Sequence, residues 1–255
     1  MQHRTRIAVL GSALAVAAAG FAAPSALAVD GDLKIDKVTV NGGKPIELGT
    51  TAGKTFKVTV TATDDSGIDT ADITLYGPNS HVALPQGAVK CEASSATTSA
   101  CTGTFTLDPD TDFYDNTPAG GWYVDAMVTA KDIDSLLVEK AASFKVQRAA
   151  KLTANAAPEP IKKGKTLTIT GALTRANWET HKYAAYGNQS ATLEFKKKGA
   201  TAYTAVKTVK ADSRGNLKTT VKATVDGSFR YTFAGNSTTS AVKAAGDAVD
   251  VCSPT

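Results

Sequence analysis

A row of alternating side chains in the middle of the sequence restricts what this chain can fold into. Every second residue from Trp122 to Ala130 is apolar, and Gly120 precedes the row by two positions. A period of two is typical of a strand that buries one face. A similar row begins near Gly227, which again stands two residues before an aromatic residue, Phe229. The repetition predicts two domains of related construction.

The remaining sequence after residue 28 is typical of an all-β protein. Short alternating runs recur, the clearest from Phe56 to Thr63, and turn residues separate them at the spacing of about 8–12 residues that is characteristic of sandwiches. Pro158 and Pro160 mark a junction, because prolines interrupt a strand ladder. We therefore predict two antiparallel β-sandwich domains, at residues 29–148 and 149–255.

The first 28 residues have the features of a secretory signal peptide. Arg4 and Arg6 precede an apolar run, and Ala26-Leu27-Ala28 supplies the small residues of a cleavage site. The run is shorter than the roughly 20 residues of a membrane-spanning helix, although a retained anchor helix is the alternative. We expect a secreted, extracellular chain that begins at Val29 and has no membrane span.

Cysteine usage agrees with export. Cys91 and Cys101 are expected to form a local disulfide. It would tie down residues 79–100, which have no clear strand pattern and are expected to form an irregular connection. Cys252 is left over, and it is either a free thiol or an intermolecular link.

Charge differs in sign between the two predicted domains. Residues 29–148 carry 17 acidic and 10 basic side chains, a balance of −7, whereas residues 149–255 carry 7 acidic and 16 basic ones, a balance of +9. The asymmetry indicates different partners for the two halves or an attraction between them. The alternative is that each surface only confers solubility.

Several of these features together resemble a known class of proteins. The signal peptide, the strands introduced by Gly53-Lys54-Thr55 and by Gly164-Lys165-Thr166, and the later strands that open with Gly-x-aromatic resemble the secreted immunoglobulin-like modules of high-GC Gram-positive bacteria. Residues 160–165, 173–178 and 229–235 resemble a recurring C-terminal module of such proteins. The resemblance implies an immunoglobulin-like fold and secretion. It implies no particular activity, because these modules mostly have no assigned function and a fold does not specify one.

Acidic side chains follow two predicted strands of the first domain. Asp64, Asp65 and Asp69 come after the second strand, and Asp132 and Asp134 come after the sixth. In an immunoglobulin-like sandwich these two loops emerge at the same end. Carboxylates that meet there repel one another unless they share a cation, and Ca²⁺ accepts six to eight oxygen ligands in tolerant geometry. The alternative is turn chemistry, in which aspartate accepts hydrogen bonds from its own backbone.

A second acidic run, residues 108–116, opens like the calcium-binding loop of a helix–loop–helix motif. The match fails at its sixth position, where Phe113 replaces glycine, and at its twelfth, where Ala119 replaces glutamate. We expect a solvated loop, with an electrostatic contact to the basic domain as the alternative.

The second domain offers an aromatic cluster as a candidate recognition surface. Trp178, His181, Tyr183 and Tyr186 lie in a stretch without a clear strand pattern. Aromatic residues on loops are typical of carbohydrate or protein recognition. The alternative is that they close one end of the sandwich, with Trp178 packed inward and its indole N–H bonded to a backbone carbonyl.

A series of lysines, including Lys196 and Lys198, gives the second domain a basic face. Lys218 and Lys222 alternate with apolar residues and should point outward. Such a face could bind an anionic cell-wall polymer, a polysaccharide or a membrane surface, or it could only discourage aggregation between sheets. Nucleic acid is not an expected partner, because aromatic residues are not interleaved with the lysines.

The sequence lacks the motifs of common hydrolases and phosphate-binding enzymes. After the signal peptide it contains two histidines, and it has neither a Gly-x-Ser-x-Gly nor a His-Glu-x-x-His motif. We therefore predict a secreted, non-catalytic binding or adhesion module of the cell surface or extracellular matrix, with Ca²⁺ as its one candidate cofactor. The alternative is a structural protein, or an inhibitor that contacts an exported enzyme through its loops, foremost Pro85–Cys101.

Overall fold

The computed structural model describes residues 26–28 and 32–253, and of residues 26–28 only the backbone pairing. The predicted signal peptide therefore lies outside the described residues except at its last three positions. The described residues contain 22 strands, two single-turn 3₁₀ helices at Asn41–Gly43 and Pro78–Ser80, and no α-helix. The predicted all-β class is confirmed.

The strands fall into two series along the sequence. In the first half they are β1 Ala26–Ala28, β2 Lys34–Val40, β3 Ile46–Leu48, β4 Lys54–Thr63, β5 Ile68–Tyr76, β6 Val82–Ala83, β7 Lys90–Ala93, β8 Thr98–Leu107, β9 Gly120–Ala130 and β10 Ser135–Arg148. In the second half they are β11 Ala150–Leu152, β12 Asn155–Ala157, β13 Ile161–Lys162, β14 Thr166–Asn177, β15 Lys182–Ala185, β16 Ser190–Lys197, β17 Thr204–Lys210, β18 Asn216–Lys222, β19 Gly227–Phe233, β20 Val242–Lys243, β21 Asp247–Val249 and β22 Val251–Cys252.

The chain divides into two compact units that are not simple halves of the sequence. The first comprises the described residues up to Ile46 together with Gly53–Asp108 and Thr117–Val146. The second comprises Glu47–Ala52, Pro109–Asn116 and the chain from Gln147 onward. Two short segments of the predicted first domain thus belong to the second unit, a placement that the sequence did not indicate.

The first unit is an immunoglobulin-like sandwich. One sheet has the strand order β2-β4-β8-β7, and the other has the order β1-β10-β9-β5-β6. With β2, β4, β5, β7, β8, β9 and β10 taken as strands A, B, C, D, E, F and G, this is the ABED and CFG arrangement of immunoglobulin domains. The alternation predicted for β4 and β9 is confirmed, because their inward side chains are buried throughout.

Aromatic packing dominates the core of the first unit. Trp122 of β9 is 1% exposed, its indole N–H donates a 2.8 Å hydrogen bond to the carbonyl of Pro118, and its ring centroid lies 6.1 Å from that of Phe144. Gly77 is required opposite this ring, since a Cβ there would lie 2.3 Å from the indole. Full burial of one such large side chain stabilises the fold by about 1.5–3 kcal/mol.

The predicted disulfide between Cys91 and Cys101 is present. The two residues face each other on β7 and β8, so the disulfide joins neighbouring strands of one sheet. The prediction of an irregular connection over residues 79–100 is wrong, because the stretch contains β6, β7 and the start of β8. Strand β7 was missed because its residues, Lys90–Ala93, are mostly exposed and show no alternation.

The second unit is also built from antiparallel sheets, one around β14 and one around β16. Strand β14 pairs with β11, β12, β15 and β18, and strand β16 pairs with β17 and β19. Tyr231 of β19 is fully buried, and its hydroxyl donates a 3.0 Å hydrogen bond to the carbonyl of Ile169 on β14. Burial raises the pKa of Tyr231 to about 12. The neutral phenol therefore bridges the two sheets of this unit.

The last described strand of the second unit pairs in parallel with an early one. Strand β22 lies beside β13, with Val251 opposite Ile161. The N–H of Ile161 donates a 3.0 Å hydrogen bond to the carbonyl of Asp250, and the N–H of Lys163 donates a 2.9 Å bond to that of Cys252. The thiol of Cys252 is free and exposed. The last described strand is thus hydrogen-bonded to a strand that lies about 90 positions earlier in the sequence.

Candidate metal centre

The loops that follow β4 and β9 are joined by hydrogen bonds at one end of the first unit. The N–H of Lys131 donates a 2.9 Å bond to the carbonyl of Gly67, and the N–H of Asp132 donates a 3.3 Å bond to Oγ of Ser66. The turn between β7 and β8 adjoins them, since the N–H of Asp64 donates a 2.9 Å bond to the carbonyl of Thr97. The strand order of the sandwich places these three turns together.

Aspartates from three segments meet at this end. The described residues contain two groups of carboxylates that suit a metal ion, one formed by Asp32, Asp64 and Asp65 and the other by Asp64, Asp132 and Asp134. Within each group, the ligand oxygens lie no more than 4.8 Å apart. Asp64 belongs to both groups, so the two groups form one continuous cluster, which we call the aspartate cluster.

The sequence-predicted site and the aspartate cluster differ by two residues. Four of the five predicted aspartates lie in the cluster, whereas Asp69 is exposed near the start of β5 and belongs to neither group. Asp32, which precedes β2, was missed. In the sequence, only the acidic side chain of Asp32 suggests a ligand. The fold brings Asp32 next to Asp65, because the backbone N–H of Asp65 donates a 3.1 Å hydrogen bond to Oδ2 of Asp32.

Asp64 is the one fully buried member of the cluster. Its side chain is 0% exposed, and Oδ1 accepts hydrogen bonds from the backbone N–H of Ser66 at 2.8 Å and from Oγ of Ser66 at 2.5 Å. Oδ2 is equally buried and has no hydrogen-bond partner among the described residues. Leaving a buried acceptor unsatisfied costs about 1–3 kcal/mol, and more when it is charged. A cation at Oδ2 would remove that cost.

Turn chemistry, the alternative interpretation of these aspartates, is present as well. Oδ1 of Asp64 accepts from the backbone of Ser66, and Oδ1 of Asp132 accepts a 3.3 Å bond from the backbone of Asp134. Both bonds reach two residues ahead, as in Asx-turns. They orient each carboxylate through one oxygen, and in Asp64 the second oxygen still has no partner in the described chain.

The loop between Asp132 and Asp134 is held in an unfavourable backbone conformation. Ile133 has φ of +73° and a side chain that is 80% exposed. A β-branched residue rarely adopts this left-handed region, which costs about 1–2 kcal/mol. The surrounding hydrogen bonds enforce it, since the N–H of Ala130 donates a 2.8 Å bond to the carbonyl of Asp134. The conformation places an apolar side chain in solvent between two acidic residues.

The second acidic run does not form a solvated loop throughout. Phe113 is 3% exposed, and its ring centroid lies 4.9 Å from that of Trp178. This packing explains why residues 109–116 belong to the second unit. Nδ1 of His181 lies 3.2 Å from Oδ1 of Asp110. Tyr114, in contrast, is 90% exposed.

The predicted aromatic surface is largely a packing element. The stretch forms a hairpin of β14 and β15, with Trp178 and His181 in the turn and Tyr183 in β15. Trp178 is 0% exposed, and its indole N–H donates a 2.9 Å bond to the carbonyl of Gly49. Trp178 therefore packs inward, as the alternative interpretation of this stretch predicts. Tyr186 is also buried and packs edge-on against Phe233.

Tyr183 and the named lysines remain partly accessible, but they have partners within the second unit. Nζ of Lys151 lies 3.8 Å from the ring centroid of Tyr183. Nζ of Lys196 lies 5.1 Å from the ring centroid of Tyr203, and Nζ of Lys198 lies 3.3 Å from Oδ2 of Asp226. The ion pair of Lys198 and Asp226 is exposed to solvent, and pairs of this kind contribute little to stability.

Fold and site together define the class of this protein, an all-β, immunoglobulin-like protein with an aspartate cluster at the loop end of its first sandwich. No protein-family model matches its sequence, and no curated protein matches it. Within the part of the chain that the structure describes, no helix has the length and apolar character needed to cross a membrane.

Several solved structures are similar to this chain at low sequence identity. The three N-terminal domains of the Hoc outer capsid protein of bacteriophage RB49 share 9% identity, with 86% of this chain and 71% of that one covered and a TM-score of 0.32. A putative membrane-anchored protein of Corynebacterium diphtheriae shares 11% identity over 85% of this chain and 53% of that one, with a TM-score of 0.29. The D00–D0 domain of intimin shares 16% identity over 84% and 99%, with a TM-score of 0.27. Similarity this low carries no argument about function.

Proposed function

We propose that this protein is a secreted, non-catalytic binding module in which Ca²⁺ organises the loop end of the first unit. One observation carries the proposal: the fully buried Oδ2 of Asp64 has no hydrogen-bond partner among the described residues, and Asp64 is the residue common to both carboxylate groups of the aspartate cluster. The disulfide supports export, because disulfides persist in oxidising compartments.

The ligand set favours Ca²⁺ over other common divalent ions. Every ligand is a carboxylate oxygen, whereas Zn²⁺ sites usually contain nitrogen or sulfur. Mg²⁺ demands near-ideal octahedral geometry, whereas Ca²⁺ accepts six to eight oxygens in tolerant geometry, which suits carboxylates that come from three separate segments. Extracellular modules of this kind bind Ca²⁺ with dissociation constants of about 0.1–1 mM.

The ion would act on the surface that is best placed for recognition. The two loops it joins emerge from one end of the sandwich, the position used by the binding loops of immunoglobulin variable domains. Exposed Ile133 lies on one of these loops, between two ligands of the ion. A cation that fixes both loops lowers the conformational cost of binding a partner through them. The partner classes are a cell-wall polymer or polysaccharide and an exported protein.

A binding experiment separates these partners. The full chain is incubated with purified Gram-positive cell wall and, separately, with proteins of a culture supernatant, each with 2 mM Ca²⁺ or with a chelator. We expect retention that is lost with the chelator and in the Asp64→Asn variant but kept in Asp69→Asn, whose side chain lies outside the cluster. Retention that is the same with calcium and with chelator, and the same in the wild type and in both variants, would overturn the proposal. Capture of one exported enzyme would favour the inhibitor alternative.

A second candidate surface rests on the charge of the second unit. Lys218 and Lys222 of β18 are exposed, as predicted, and Lys207 of the neighbouring β17 donates a 2.7 Å hydrogen bond from Nζ to the carbonyl of Thr220. Wall retention that falls steeply between 0.15 and 0.5 M NaCl, and is lost in the Lys218→Glu, Lys222→Glu double variant, would identify this face as the site for an anionic polymer.

A further inference from the structure

We infer that the aspartate cluster holds two calcium ions bridged by Asp64. The inner ion would lie between the loops that follow β4 and β9, with Asp64, Asp132 and Asp134 as ligands. The outer ion would be bound by Asp32, Asp64 and Asp65, and it would join the segment before β2 to the first of these loops. This inference rests on the proposed calcium binding and adds the number of ions and their separate ligands.

The grouping of the carboxylates points to two ion positions. The described residues form two sets of three carboxylates that share only Asp64, one with Asp32 and Asp65 and the other with Asp132 and Asp134. Each set offers three carboxylate oxygens to one ion. Because Asp64 belongs to both sets, it would bridge the two ions.

The charge of the cluster also favours two ions. Five carboxylates carry −5, so one Ca²⁺ would leave −3 and two would leave −1. The amine of Lys131 adds one positive charge next to the loop that carries Asp64 and Asp65. Its Nζ lies beside Gly67 of that loop, 3.3 Å from the position that a Cβ of residue 67 would occupy. Like charges this close destabilise one another unless cations are shared. Two ions bring the cluster close to neutrality, whereas one does not.

Asp64 has the free capacity that a bridging ligand needs. A carboxylate offers about four lone-pair sites, two on each oxygen. The backbone and hydroxyl of Ser66 occupy Oδ1, and Oδ2 has no partner among the described residues. The two remaining sites on Oδ2 match two cations. Asp32 and Asp65 are exposed, whereas Asp134 is only half-exposed, so we expect the outer ion to bind more weakly.

Calorimetric titration of the chelator-treated full chain with CaCl₂ tests the stoichiometry. We expect two ions per chain in the wild type. The Asp32→Asn, Asp65→Asn variant should bind one ion, and the Asp132→Asn, Asp134→Asn variant should also lose one. Asp64→Asn should weaken all binding at least tenfold, and Asp69→Asn should still bind two ions. Near-isosteric asparagine replacements limit structural damage, which circular dichroism of each variant monitors.

The possible outcomes test the number of ions separately from calcium binding itself. A wild-type stoichiometry of one would overturn the two-ion inference and leave calcium binding intact. No heat of binding up to 10 mM Ca²⁺ would overturn both. Terbium luminescence provides a second count that needs no variant: two Tb³⁺ ions per chain, displaced by Ca²⁺ in two steps, support the inference, and displacement of a single ion contradicts it.

Discussion

Replacement of Asp64 by asparagine isolates the contribution of the cation to folding. The substitution keeps the shape of the side chain and the acceptor that Ser66 uses, and it removes the charge from a site that is 0% exposed. Without calcium, a buried carboxylate oxygen without a partner is a cost of about 1–3 kcal/mol. The Asp64→Asn variant should therefore be at least as stable as the wild type when calcium is absent.

With calcium present, the order of stability should reverse. For a dissociation constant of about 0.1–1 mM, 10 mM Ca²⁺ stabilises the folded state by RT ln(1 + [L]/Kd), which is about 1.4–2.7 kcal/mol. The first unit has the size of a domain of about 100 residues, for which 1 kcal/mol raises Tm by at least about 4 °C. We expect a rise of about 6–11 °C in the wild type from the tighter ion alone, and almost none in Asp64→Asn.

Differential scanning calorimetry with and without calcium makes the measurement. The aspartate cluster lies entirely in the first unit, so the transition of the second unit serves as an internal reference. Asp69→Asn is the matched control, because it removes the same charge from an exposed position outside the cluster, and it should respond like the wild type.

Two results would refute this reasoning. One is an Asp64→Asn variant that gains as much as the wild type from calcium, because the ion would then bind elsewhere. The other is a wild type whose Tm is unchanged at 10 mM Ca²⁺.

Three further predictions concern other features of the fold. Burial raises the pKa of Tyr231 from its ordinary value of 10.0 to about 12. The folded state therefore favours the neutral phenol, and this contribution to the unfolding free energy is fully present below pH 10. It is lost as the pH rises toward 12, by at most ~1.4 kcal/mol per pH unit. Urea titrations at pH 9 and 11 should show this loss in the wild type and not in Tyr231→Phe. Ile133→Gly should raise the unfolding free energy by about 0.5–1 kcal/mol, since relief of the left-handed strain exceeds the added chain entropy; a lower Tm would contradict this. The Cys91→Ala, Cys101→Ala variant should lose about 2–3 kcal/mol in the first unit, as expected for a closed loop with a sequence separation of 10, and an unchanged midpoint in urea would show that the disulfide is dispensable.

Side-chain alternation accounts for the parts of the fold that the sequence predicts well. Strands β4 and β9 bury one face each, so their period of two is visible without knowledge of their partners. Strand β7 is exposed along most of its length, and an edge strand of this kind has no alternating pattern to detect. Its place in the sheet is fixed by pairing with β8, a tertiary interaction that no local pattern encodes.

Only those residues of the candidate site could be predicted whose positions follow from the strand order of the sandwich. Asp64 and Asp132 lie 68 positions apart in sequence, but both follow strands whose ends meet in an immunoglobulin-like sandwich. Asp32 precedes the strands that carry this argument, so nothing local distinguishes it from other acidic residues. Phe113 was assigned to a solvated loop for a related reason, because its burial depends on Trp178, which lies far along the chain.

The parallel pairing of β13 with β22 has a mechanical consequence. Strand β13 comes early in the segment that begins at Gln147, β22 is its last described strand, and the two run in the same direction. Tension that pulls β13 and β22 in opposite directions along the chain therefore acts along both strands and loads their hydrogen bonds in shear, so that the bonds have to break together. An antiparallel hairpin pulled at its open end would release its bonds one at a time. Separation of Ile161 from Val251 would also open the core of this unit, since Ile161 is buried in that core and Val251 packs against it.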